Sequence, residues 1–182
     1  APALAVVARG SWAALQAARA LADDVGRWQP PPGAPADSAQ IARQLDAAAE
    51  QAADGRQGFA FRDQGDVAAA LARSSGVIEA RYRVPYLAHA TMEPMNCTAQ
   101  VADGQVRLWA PTQVPSFARA VAARVAGVDE DAVELHVPYL GGGFGRRLEV
   151  DVVAQAVRVA LETGGAPVQL LWSREADLRH DF

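Results

Sequence analysis

The sequence predicts an α+β fold, a two-layer ββαβαβ unit with a mixed sheet and its helices on one face. Three observations carry that expectation. "CTAQVADGQVRLWA" alternates on both sides of Asp103-Gly104, the pair that suits a type I′ turn, so this stretch reads as a hairpin. Residues 116–126 and 151–162 each recur at helical spacing,. Each lies between strand-like runs, which gives the order ββαβαβ from 97 to 172 and a helical layer packed on a sheet,.

Ahead of that unit, "LAVVA" at 4–8 reads as a buried strand and "SWAALQAARALADD" at 11–24 as a helix with Ser11 as its N-cap,. Trp12, Leu15, Ala18 and Leu21 share one side of it. "QPPPGAPAD" at 29–37 breaks all periodicity, because proline fixes φ and removes donors; it reads as a linker,. Asp37 then caps a helix, with Gln40 following and a narrow stripe of Ile41, Leu45 and Ala48,. Residues 54–66 read as a loop, and Asp66 starts a short helix ending near Ser75-Gly76. Beyond it Ile78, Ala80, Tyr82 and Val84 share one face of a strand while Glu79, Arg81 and Arg83 share the other,.

After the hairpin, the helix from Ser116 to Ala126 carries Phe117, Val121 and Val125 and stops at Gly127,. "AVELHVPYL" follows as a strand with Val133, Leu135 and Val137 facing inward. Past the glycines of "LGGGFGRR", a polar stripe of Asp151, Gln155, Arg158 and Glu162 opposes Val152, Val153, Ala156, Val157, Ala160 and Leu161,. Gly164-Gly165 ends that helix, and "PVQLLW" is the last strand.

Composition removes several classes of function. With 182 residues, 51% of them hydrophobic, the chain suffices for one domain and part of another,. Its 17 basic and 21 acidic residues leave a charge of −4, and Arg146-Arg147 is the one basic cluster, which argues against a nucleic-acid partner,. Cys97 is the single cysteine, so neither an internal disulfide nor a cysteine metal cluster is available,. No apolar run approaches the roughly 20 residues that span a bilayer. The strand-like start without Met and the uncapped end at "LWSREADLRHDF" read as cuts from a longer protein.

Three places are candidates for chemistry. The glycine loop lacks the Lys-Ser or Lys-Thr ending of a triphosphate loop, and Arg146 stands where a dinucleotide fingerprint needs its third glycine,. A tight turn explains one such glycine; Gly141, Gly142, Gly143 and Gly145 together point to close approach by a ligand at a helix start, where N–H groups favour negative charge,. Gln113 in "WAPTQVPSF" follows a strand and precedes a helix, as the glycine loop does, so the two loops can frame one crevice,. Capping that helix is the simpler role for Gln113. His89, Glu93 and Cys97 are spaced like metal ligands, but no HExxH or CxxC accompanies them, and a hydrogen-bonded structural histidine is the expected reading,. His136 and His180 have no partner visible in the sequence.

Taken in order, "YRVPYLAHATMEPMNCTA", "WAPTQ", "LGGGFGRR" and "LWSREADLRHDF" resemble the large molybdopterin-binding subunit of the xanthine dehydrogenase and aldehyde oxidase family. Within it, they resemble most the branch that holds the beta chain of isoquinoline 1-oxidoreductase. The resemblance runs from about Gly76 to Phe182. It implies that 76–182 is the first part of a molybdenum cofactor-binding domain, that 1–28 is the closing strand and helix of an α/β hammerhead-like domain, and that 29–75 is a connector. By position, Gln113 matches a glutamine whose amide contacts an oxo group on molybdenum, and Phe144 matches a residue whose backbone N–H meets the same oxygen. Gly142, Gly143 and Gly145 would face the pterin, with Arg146 or Arg147 helping to bind it. The family holds molybdenum through cofactor sulfurs, so no protein metal ligands are expected.

The resemblance further implies hydroxylation of an N-heterocycle or an aldehyde with water as the oxygen source. Electrons would leave through a [2Fe–2S] small subunit, in this branch often to cytochrome c, and the pterin would be the cytosine dinucleotide form. Leu148 stands where xanthine-oxidising relatives carry a glutamate, which argues against xanthine. The general-base glutamate is expected downstream of Phe182, so this piece by itself is expected to be inactive and to hold no cofactor tightly. Both a periplasmic and a cytoplasmic location fit the branch. Two other classes compete: a non-catalytic α+β subunit-contact module, able to form a homodimer through exposed faces, with a merely structural glycine loop; and a phosphate-binding enzyme of another kind, against which both failed fingerprints count.

Overall fold

A computed structural model describes residues 4–24, 37–53 and 58–180. Contacts gather residues 1–24 and 85–182 into one compact unit and residues 25–84 into another. In the smaller unit Asp37 Oδ1 accepts from the N–H of Gln40 at 2.7 Å and opens α2 (Ser38–Ala53). Asp66 does the same for Ala69 at 2.9 Å and opens α3 (Val67–Arg73), so both caps stand where the sequence puts them,. Arg81 and Arg83 pair with Glu50 and Asp46 of α2 at 3.5 and 2.7 Å. The expected strand over 78–84 is not formed: Ile78 is 99% exposed and no neighbour among the described residues supplies a ladder. Alternation fits a strand, but unpaired N–H and C=O groups gain nothing from extension until another strand meets them.

The same reason corrects the strand expected at 4–8, where Leu4 and Val7 are exposed and no ladder forms. The helix after it forms as α1 (Ser11–Asp24). Ser11 is its first helical residue rather than its cap, because the carbonyl of Gly10 already accepts from Ala14. Trp12 of its apolar stripe is exposed. The proline-rich stretch lies outside the described residues.

The predicted ββαβαβ order is present. It comprises β1 (Asn96–Ala102), β2 (Gln105–Trp109), α4 (Pro115–Ala126), β3 (Val133–His136), α5 (Asp151–Ala160) and β4 (Val168–Leu171), with the short α6 (Arg174–Arg179) after it. Asp103 and Gly104 take φ of 51° and 73°, the left-handed pair a type I′ turn requires,. Gly127 ends α4 at φ 71°,. The sheet order is β3-β2-β1-β4, with β2 and β3 parallel and the other pairs antiparallel.

Alternation decides which sheet face is covered. Cys97 and Ala99 of β1 and Val106 and Leu108 of β2 point into the core, while their neighbours point away. On that face α5 packs on β1 and β4, α4 packs on β2 and β3, and the helices pack on each other. Alanines make the close fit: Ala118, Ala122, Ala123, Ala156 and Ala160 are all buried. The inner stripe of α4 is therefore displaced by one residue from the expected one, and Phe117 is half exposed.

Register then gathers the loops. Trp109 pairs with His136 and Thr98, and Asn96 pairs with Leu171. The approach to β1 and the exits of β2, β3 and β4 thus share one edge of the sheet.

Candidate functional site

At that edge the four segments are laced by backbone hydrogen bonds. Ala110 N–H donates to His136 O at 3.1 Å, Trp172 N–H to Met95 O at 3.0 Å, and Glu93 N–H to Gly141 O at 3.1 Å. The two loops singled out by the sequence meet here. Gln113 N–H donates to Arg147 O at 3.0 Å, and Gly145 N–H donates to Gln113 Oε1 at 3.2 Å. Gln113 does not cap α4, whose first turn carries no side-chain cap.

Arg147, 1% exposed, sits beneath both loops. Its guanidinium donates to the carbonyls of Gly142 at 2.7 Å, Pro111 at 3.2 Å and Glu93 at 2.8 Å, and to Glu93 Oε2 at 2.8 Å. Burial pulls its pKa down and the Glu93 carboxylate opposes that shift,. The same Oε2 accepts from Gly141 N–H at 2.8 Å, and Oε1 accepts from Asn96 at 2.9 Å. Just before Glu93, the Thr91 and Met92 carbonyls are held by Arg174, itself paired with buried Asp177 at 2.6 Å.

The glycines have intramolecular reasons that the sequence alone does not suggest. A Cβ at Gly141 would stand 2.4 Å from Glu93 Cβ, and one at Gly143 would stand 2.6 Å from Gln113 Oε1. The close approach at both is made by the chain's own side chains, which corrects the inference of a ligand from glycine number alone. The helix-start reading is corrected too: a 3₁₀ turn (Arg146–Leu148) intervenes, and α5 begins at Asp151, already an anion. What does invite a ligand is the donor set. Among the described residues the backbone N–H groups of Gly142, Gly143 and Phe144 donate to no protein acceptor, and Gln113 Nε2 has none either. Phe144 is 75% exposed and holds φ at 55°, a conformation costly for a bulky residue,.

Arg146 and Arg147, expected beside the pterin, are both buried. Arg146 forms a two-point pair with Asp151 at 3.1 and 3.0 Å and lies 5.4 Å over the Trp172 ring,. The histidines have neighbours that order alone does not reveal: His136 stacks on Trp109 and meets Glu134 at 3.1 Å, while His180 meets Asp151 at 3.5 Å and the edge of Trp172. His89 Nε2 borders Gly145. Glu93 is taken up by Arg147, and Cys97 lies in the core, where burial pushes its thiol up to about 12. Among the described residues no group of three or more His, Cys, Asp or Glu could hold a metal ion, and no helix is long and apolar enough to cross a membrane. Sequence reasoning overlooks Glu93, Thr91, Arg174 and Asp177 as parts of this framework; buried arginines demand acids, but nothing in the sequence says which.

Residues 50–181 match the family model described as the molybdopterin cofactor-binding domain. The chain belongs to that family. The beta chain of isoquinoline 1-oxidoreductase from Brevundimonas diminuta is 39% identical over 93 residues, covering 50% of this chain and 12% of that protein. A nicotinate dehydrogenase subunit from Pseudomonas putida is 34% identical over 115 residues, 63% of this chain and 10% of that one. Among solved structures, quinoline 2-oxidoreductase from Pseudomonas putida 86 aligns over 62% of this chain and 14% of its own, at 28% identity and a TM-score of 0.53. The molybdopterin-binding α+β fold expected from the sequence is thus present, in a chain spanning a small part of its relatives.

Proposed function

We propose that this chain supplies one wall of the cofactor site in the large subunit of a molybdenum hydroxylase acting on an N-heterocycle or an aldehyde. The observation that carries the reading is the convergence of Gln113 and the glycine loop. Gly145 N–H holds the Gln113 carboxamide by its oxygen at 3.2 Å, which leaves Nε2 and the N–H groups of Gly142, Gly143 and Phe144 to serve a bound group. An anionic, oxygen-rich molybdopterin, in its cytosine dinucleotide form, suits such donors. When bound, that cofactor supplies the oxygen transfer and takes up the electron pair, with water as the oxygen source.

The chain's own part is electrostatic and geometric. Neutral donors fixed by the protein favour negative charge on the cofactor without having to reorient as charge develops. Arg146 and Arg147 serve the cofactor by shaping the loop rather than by touching it. A glutamate elsewhere in the full polypeptide acts as general base. Electrons pass to a [2Fe–2S] subunit and onward to a cytochrome c. The names of the relatives, which describe subunits of heterocycle-oxidising enzymes, support this reading.

A second reading has one observation in its favour: the close approaches at Gly141 and Gly143 are intramolecular, as in a purely structural loop. Gln113→Ala in the full-length protein separates the two, since turnover falls only if the carboxamide serves the cofactor; metal analysis of the same protein tests the molybdenum assignment. Copurifying molybdenum with hydroxylase activity is expected; a metal-free but active complex would contradict the proposal.

A further inference from the structure

We propose that Arg147 and Glu93 are positioning residues that clamp the Gln113 loop and the glycine loop into one rigid body. The inference rests on the cofactor-site reading above. It comes from where the bonds go: the hydrogen bonds of this pair run to loop segments and to the first residue of β1, not to a helix or the middle of a strand. Arg147 Nε holds Gly142 O at 2.7 Å, Nη1 holds Pro111 O at 3.2 Å, and its own carbonyl accepts from Gln113 N–H at 3.0 Å and Thr112 Oγ1 at 3.2 Å. Glu93 closes the other side: its N–H donates to Gly141 O, and its Oε2 accepts from Gly141 N–H. Gln113 and Gly145 therefore keep their contact only while this pair holds both loops.

The fork is needed, and so is the charge. A planar guanidinium reaches acceptors in three directions at once, whereas an ammonium is a single point on a flexible stem. The strained φ of 55° at Phe144 persists only where its surroundings over-determine it, and residues 142 and 145, on either side of it, are tied by Arg147 and Gln113,.

The test uses the full-length protein with Arg147→Lys and Glu93→Gln, Gln113→Ala as reference, and Arg158→Ala as control, since Arg158 pairs with exposed Glu162 on the surface. Hydrogen exchange is followed in peptides covering 111–113 and 141–148, beside peptides from β1 and α5. Both clamp variants are expected to speed exchange in the two loops together by about ten-fold while β1 and α5 keep their protection. Turnover should fall about 10–100-fold with little change in KM, as misplacement without lost binding predicts. Unchanged loop exchange overturns the clamp. So does exchange that rises evenly through β1 and α5, which marks a merely structural pair. Should Arg147→Lys not accumulate, Glu93→Gln, which keeps the side-chain shape, gives the same two readouts. If Gln113→Ala retains full turnover, the cofactor-site reading fails, and the exchange data still judge the clamp.

Discussion

Gly145 donates its backbone N–H to Gln113 Oε1 at 3.2 Å across 32 positions of sequence, and that contact joins the exit of β2 to the exit of β3. It fixes which end of the carboxamide is left for a ligand. The proposed function depends on it more than on the number of glycines nearby.

Gly143→Ala tests the contact by volume. Its Cβ would stand 2.6 Å from Gln113 Oε1, at the far end of a flexible side chain, and Gly143 has no positive φ to forbid alanine. The carboxamide should swing away at a stability cost under about 1 kcal/mol. Turnover of the full-length protein should fall on the order of 100-fold. Thermal melting beside steady-state kinetics reads both; a large loss of stability with turnover intact would contradict the expectation.

Asp151→Ala tests the second buried arginine. Arg146 is 2% exposed, and its two-point partner is only 18% exposed. Removing the acid takes the two-point partner from a buried guanidinium and an acidic residue from the first turn of α5,. Urea titration should show a loss of about 3 kcal/mol. A change within about 0.5 kcal/mol, as at ordinary surface positions, would show that the pair carries little.

Cys97 gives a pH prediction. Burial among core residues raises its thiol to about 12, so the folded chain keeps it neutral where an unfolded chain, with a pKa of about 8.5, has begun to ionise,. The contribution is fully present below the unfolded value and is lost as pH climbs from about 8.5 toward about 12,. Alkylation with iodoacetamide at mildly alkaline pH should spare the folded chain and modify it in denaturant. Rapid labelling of the folded chain would place the thiol outside the core.

Local signals made most of the fold legible. Asp103-Gly104, Gly127 and the caps Asp37 and Asp66 each act within a few residues, and all act where the sequence puts them. The strands expected at 4–8 and 78–84 failed because a strand is a pair property: alternation can be read from one chain segment, a neighbour cannot,. On α4 the large apolar residues suggested the inner face, but the close crossing with α5 selected the alanines. At the site, both loops and Gln113 stood out by their place between strand and helix. Glu93 stood out only for a spacing like that of metal ligands and not as the partner of Arg147, which lies 54 residues away, because ion pairing leaves no periodic trace.

Gln113→Ala in the full-length protein tests the central claim most directly, with molybdenum content and turnover measured on the same preparation. A fixed donor to the cofactor should be worth on the order of 10²–10³-fold in kcat. Molybdenum should be retained while turnover falls by that amount. Wild-type turnover in a variant lacking the carboxamide would contradict the claim.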